Sequence, residues 1–119
     1  MAAYHSGVLV LIDDLSKISY FLIDRVASTI RKVELNGPRN VDKIYAVKMS
    51  RKYLCFATNG SVLVYLRQGK DLYFQSELDT LHHRRVDDIV FRGEKIAGVS
   101  LRISSRTIAA RYREDSTFL

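Results

Sequence analysis

Apolar residues in this chain fall in short runs, each roughly five to nine residues long, with polar turn formers between them. The turn formers stand at Asp13-Asp14-Leu15-Ser16, Asn36-Gly37-Pro38-Arg39-Asn40, Ser50-Arg51-Lys52, Asn59-Gly60-Ser61, Gln68-Gly69-Lys70-Asp71, Arg92-Gly93-Glu94 and Ser104-Ser105. Val, Ile, Leu, Tyr and Phe fill the runs, and such side chains suit a pleated surface. Breaks every ~8–12 residues are the spacing of an all-β sandwich, barrel or propeller. The pattern predicts an all-β fold of short antiparallel strands and hairpins, in one domain spanning 1–119. Asn59-Gly60 is the sharpest hairpin signal. Both residues tolerate the positive φ of a type I′ turn, which would join strands near 53–58 and 62–67.

The faces of these strands differ in a telling way. In Tyr53–Ala57, Tyr53, Cys55 and Ala57 alternate with Leu54 and Phe56; in Val62–Leu66, Val62, Val64 and Leu66 alternate with Leu63 and Tyr65. A sheet covered on one side only would alternate apolar with polar. Both strands should therefore be sandwiched. In 106–113, Arg106, Ile108, Ala110 and Tyr112 share one face while Thr107, Ala109, Arg111 and Arg113 share the other, which predicts a half-exposed strand.

A repeat underlies the pattern. Val41-Asp42-Lys43-Ile44 recurs as Val86-Asp87-Asp88-Ile89, a shift of 86 − 41 = 45 positions. The same shift carries Val8–Ile12 onto Tyr53–Ala57 and Ile18–Leu22 onto Leu63–Arg67, with Ser16 on Ser61 and Tyr20 on Tyr65. Strands near 95–102 and 106–113 follow the second copy in the same order. A period of about 45 residues carrying four strands is that of a propeller blade. Over most of its length the chain resembles WD40-like β-propeller repeats, about two and a half blades of them. The Gly-His and Trp-Asp dipeptides of that family are absent, and the chain has no tryptophan. The resemblance implies a ring closed by another copy or another protein; without it, a compact sandwich or barrel remains.

One segment supports two readings. Leu15, Ile18, Leu22, Val26, Ile30 and Val33 recur at spacings of three and four, and Asp13 or Asp14 could cap a helix over 14–33, making the fold α+β. Against that helix stand Ile18, Tyr20, Phe21, Ile23, Val26, Thr29 and Ile30, which are β-branched or aromatic, and Phe21 and Ile23 would leave the stripe.

Composition then narrows the function. With 119 residues, 47% hydrophobic and 27% charged, the chain is that of one globular domain. The run Val8–Ile12 is too short to span a bilayer and meets Asp13 at once, so no membrane segment is expected. One cysteine, Cys55, leaves no intrachain disulfide and suggests an intracellular setting, cytoplasm or nucleus. The net charge of +6 favours an anionic partner.

Catalytic chemistry finds little support. Adjacent His82 and His83 would point to opposite faces of a strand and make a poor metal site. Asp13-Asp14 and Asp87-Asp88 stand where turn hydrogen bonding explains them. No phosphate loop is present. The expectation is a non-enzymatic binding or scaffold module with no cofactor or metal, acting through a protein partner or a homo-oligomer. The alternative is a small basic domain that binds RNA or single-stranded nucleic acid. Its candidate contacts, equally suited to another anionic partner, are Lys48, Arg51, Lys52, Arg84, Arg85, Arg102, Arg106, Arg111, Tyr112 and Arg113.

Overall fold

Each turn signal that lies within the described residues reverses the chain, and the result is three successive up-and-down meanders. The computed structural model describes residues 1–33, 43–69, 71–80, 84–103, 106–111 and 117–118. The first meander holds β1 (Ala2–His5), β2 (Val8–Ile12), β3 (Ile18–Asp24) and β4 (Thr29–Val33). The second holds β5 (Ile44–Met49), β6 (Tyr53–Thr58), β7 (Ser61–Gln68) and β8 (Asp71–Thr80). The third holds β9 (Arg85–Arg92), β10 (Lys95–Ile103) and β11 (Arg106–Arg111). Neighbours within each meander are antiparallel, and β12 (Thr117–Phe118) adds in parallel to the free side of β8. The fold is all-β.

The helix over 14–33 does not form. β3 and β4 occupy the segment, joined by a turn in which Asp24 Oδ1 accepts from the amides of Val26 and Ala27. Leu15 and Val26, two members of the would-be helical stripe, stand in turns at 88% and 100% exposure. The stripe was a coincidence of spacing; the branched and aromatic residues between its members took the strand that suits their stiff χ1.

The three meanders stack face to face, with the second in the middle. Val8, Val10, Ile12, Tyr20 and Leu22 of the first pack with Ile44, Leu54, Phe56, Leu63 and Tyr65 of the second. On the opposite side, Cys55, Ala57, Val62, Val64 and Leu78 pack with Val86, Ile89, Val99, Leu101 and Ala110 of the third. Strands β6 and β7 are thus covered from both directions, as their doubly apolar pattern requires. Phe56, fully buried, meets the Tyr65 ring edge-on at 5.6 Å. Burying a side chain of that size contributes on the order of 1.5–3 kcal/mol, and this double layer is where the stability is concentrated. At the far end β11 is mostly exposed, with Ala110 alone buried, which matches the half-exposed strand expected there.

The hairpin at Asn59-Gly60 forms, but not as a type I′ turn. Gly60 has φ +102°, whereas Asn59 is not among the residues with positive φ. Asn59 instead makes a backbone bridge to Arg85, tying the β6–β7 turn to the third meander. Thr58 Oγ1 donates to the Ser61 carbonyl and closes a wider loop. A tertiary contact decided the turn type.

The 45-residue shift survives at the level of strands: it carries Val8, the first residue of β2, onto Tyr53, the first of β6. Ile44 and Ile89, the paired ends of the repeated tetrapeptide, are both buried, each in a different core. Val41 and Asp42 lie outside the described residues. β1 lies against β5 and β5 against β9, while no comparable apposition joins β4 to β8 or β8 to β11. The meanders therefore converge at their first strands and spread toward their last. Among the described residues they form an open stack, not a closed ring.

Candidate association surfaces

Corresponding ends of the meanders are tied together by polar contacts. At one end, the Ile44 amide donates to Ser16 Oγ, and Asn59 bridges to Arg85. At the other, the Lys52 amide donates to Glu94 Oε2 across the β5–β6 and β9–β10 turns. Glu94 is held below its ordinary value first by the Ser50 hydroxyl and then by the Lys52 amide, which together with nearby cations outweigh the opposing desolvation. Arg67, at the end of β7, inserts its buried guanidinium between the first two meanders. It donates to the Ser50 carbonyl at 2.6 Å and the His5 carbonyl at 2.9 Å. Burial lowers its pKa, opposed by the nearby Tyr20 and Glu94. These contacts fix the orientation of the stack and leave its two outer faces as the surfaces open to partners.

The expected basic contacts divide among separate places. Arg51 and Lys52 lie exposed in the β5–β6 turn, and Lys52 Nζ sits 5.5 Å from the Tyr53 ring centroid. Lys48 is exposed on β5, opposite Cys55. Arg84 and Arg106 are exposed near the other end of the molecule. Arg85 is half-buried, 4.0 Å above the Tyr45 ring, with its Nε 2.7 Å from Asp87 Oδ1. Arg102 Nε lies 2.8 Å from Asp87 Oδ2. Asp87 thus bridges two cations that face each other across β9 and β10. Burial alone would raise the Asp87 carboxyl, but the Arg102 hydrogen bond and the Arg85 charge bring it below its ordinary value. Arg111 lies at the far end of β11 from Arg106, and strand alternation puts the two on opposite faces. Tyr112 and Arg113 lie outside the described residues, as do His82 and His83.

The outer face of the first meander is apolar. Register places Ala2, Leu11 and Ser19 in one row, Tyr4, Leu9, Phe21 and Lys32 in the next, and Ile23 with Ile30 in a third. Tyr4, Leu11 and Ile30 are 47%, 39% and 70% exposed, with Leu9, Phe21 and Ile23 half-buried between them. Lys32 is the one formal charge in those rows. This face is legible in the sequence. Val8–Ile12 is apolar on both sides in the same way as Tyr53–Ala57, so the same rule demanded a cover for it.

The outer face of the third meander is of another kind. Asp87, Asp88, Ser100, Arg102, Thr107 and Arg111 share it with the small residues Gly98 and Ala109 and with a single exposed apolar residue, Val90. A polar face of this sort is how a stack of sheets ends against water. The molecule is capped on one side and open on the other.

Among the described residues no group of three or more His, Cys, Asp or Glu is placed to hold a metal ion, and no helix is long and apolar enough to cross a membrane. Comparison with known proteins finds no matching family model, curated protein or solved structure.

Proposed function

We propose that this chain is a non-enzymatic association module that works by laying the outer face of β1–β4 against another β-sheet, from a second copy or from a partner chain. The observation that supports this is the contiguous set Tyr4, Leu9, Leu11, Phe21, Ile23 and Ile30, open to water on one side of an otherwise two-sided stack. Exposed apolar faces of this extent mark interaction sites. The internal packing supplies the template, because the equivalent face of the second meander, Leu54, Phe56, Leu63 and Tyr65, is covered by the first. Docking would add a further layer. Since the meanders converge at their first strands, the added layer extends the same blade-like fan, in keeping with the resemblance to blade repeats. No cofactor enters this reading.

Nucleic-acid binding has less support. Arg85 and Arg102 are engaged by Asp87, and Arg106 and Arg111 point to different faces, so they do not line one track for a phosphate backbone.

Native mass tests the proposal. Light scattering on the purified chain, and on the chain drawn from its source, should show a dimer, a larger oligomer or a co-migrating companion. The double variant Leu11→Asp/Ile30→Asp changes two residues that the free chain already exposes. It should return the mass to that of the monomer with an unchanged far-UV spectrum. A monodisperse monomer in both wild-type preparations would sink the reading.

A further inference from the structure

The third meander contains two like-charged pairs facing each other across the same two strands, and the fold treats them differently. Arg85 faces Arg102, and Asp87 sits between them. Arg92 faces Lys95 at the closing pair of the β9–β10 hairpin. Like charges directly opposite on paired strands repel, so each pair calls for an anion. The carboxylate closest in sequence to the second pair is Glu94, in the turn between them, and it is engaged by the β5–β6 turn, where it accepts from the Lys52 amide. No carboxylate of the described residues takes the place that Asp87 takes for the first pair.

A third cation joins this second pair. Arg111 faces Gly98, which in turn faces Val90, and the three cations rim an open depression of about 800 Å³. A register shift at Ala97 bends β10 here, and Ala97, Gly98 and Ala109 form a floor with almost no side chains. Arg92, Lys95 and Arg111 are all exposed, and among the described residues no acidic side chain lines the depression.

The geometry points to a phosphoryl-binding site on the outer face of β9–β11, held by Arg92, Lys95 and Arg111. A phosphoryl group offers three oxygens to three separate donors, and guanidinium forks match its geometry. A single carboxylate supplies two oxygens and would leave one cation unpaired. Among the described residues the depression has no aromatic ring on which a base could stack, so an isolated phosphate or a phosphate ester on a small molecule fits it better than a nucleic-acid strand. The site lies on the capped side of the stack, remote from the apolar face proposed to dock a sheet, and stands or falls independently of that docking.

Amide chemical-shift titration of the full chain with inorganic phosphate, pyrophosphate and phenyl phosphate tests the assignment. Saturable shifts should be confined to 90–98 and 109–111. Lys95→Gln and Arg111→Gln should each weaken binding about tenfold or more, the loss expected for one charge-assisted hydrogen bond. Arg106→Gln, which removes the same charge elsewhere, should leave it unchanged. Tighter binding of phenyl phosphate than of inorganic phosphate identifies an ester whose body rests on the Val90–Ala97–Ala109 floor; the reverse order identifies the free anion. In phosphate-free buffer of low ionic strength, Lys95→Gln should raise the melting temperature by relieving the repulsion. Shifts spread over every basic residue, an equal loss on Arg106→Gln, or saturable binding of an oligonucleotide or acidic peptide where all three phosphates fail would overturn the proposal.

Discussion

Asp87 shows how much one side chain can decide. Its two oxygens hold Arg85 and Arg102, and Thr107 Oγ1 donates to the same carboxylate at 3.3 Å. The folded carboxyl lies below its ordinary value despite partial burial, because the two guanidinium groups and the hydroxyl favour its charged form. The pH dependence follows from that sign. The contribution is fully present above the unfolded value of ~3.9 and is lost as pH falls through the folded value. Denaturant unfolding should therefore show Asp87→Asn less stable than wild type at pH 6, with the gap closing in the acid range below about pH 4. A gap independent of pH would mean that packing, not charge, is what Asp87 supplies. Cys55 is the opposite case, a group whose surroundings silence it. Full burial pushes its thiol up to about 12, so a thiol reagent should modify it only as fast as the stack opens. Modification of the native protein at the rate of a free thiol would place Cys55 outside the core.

Strands carry the next level of specification, and here a single glycine is informative. A Cβ on Gly98 would drive into the carbonyl oxygen of Ala110, backbone against side chain with no room to yield. Gly98→Ala should therefore push β11 away from β10 and cost about 1–3 kcal/mol in a denaturant melt, as overpacking does. A neutral result would mean that β11 is loosely held. Nothing in the local sequence flagged this position, since a glycine inside a run of strand formers reads only as a weak spot. The strands themselves were legible where the pattern was redundant. Tyr53–Ala57 and Val62–Leu66 are apolar on both faces, and they are the strands covered twice. Legibility failed where distant residues decide. Asn59 suits a type I′ turn, yet its backbone is claimed by Arg85, 26 positions on (85 − 59). Arg85 and Arg102 looked like free cations because a bulge between Ser100 and Leu101, invisible in composition, sets Asp87 where it can reach both. The stripe over 14–33 had helical spacing, but Leu15 and Val26 belong to turns, and only strand pairing reveals that.

For the molecule as a whole, the consequence of the stack is a gradient of stability with one open end. β6 and β7 are hydrogen-bonded on both edges and packed on both faces, so their amides can exchange only when both cores separate. β4 and β11 pair along one edge and are largely exposed. Hydrogen exchange should accordingly be slowest in β6 and β7, where it reports global unfolding, and fast in β4 and β11, where it reports local opening. Association alters the two ends unequally. A sheet laid over Leu9, Leu11, Phe21 and Ile30 shields β2–β4 from solvent, whereas the polar face of the third meander gains nothing. If the partner is a second copy, raising the protein concentration should slow exchange in β2–β4 and leave β11 unchanged, because a ligand that binds only the folded state stabilises it by mass action. Equal slowing at both ends would show head-to-tail stacking, and would require the face bearing Ser100, Arg102 and Arg111 to bury its charges against hydrocarbon. Unpaired charge in such a place costs several kcal/mol, and for that reason growth from this end is not expected.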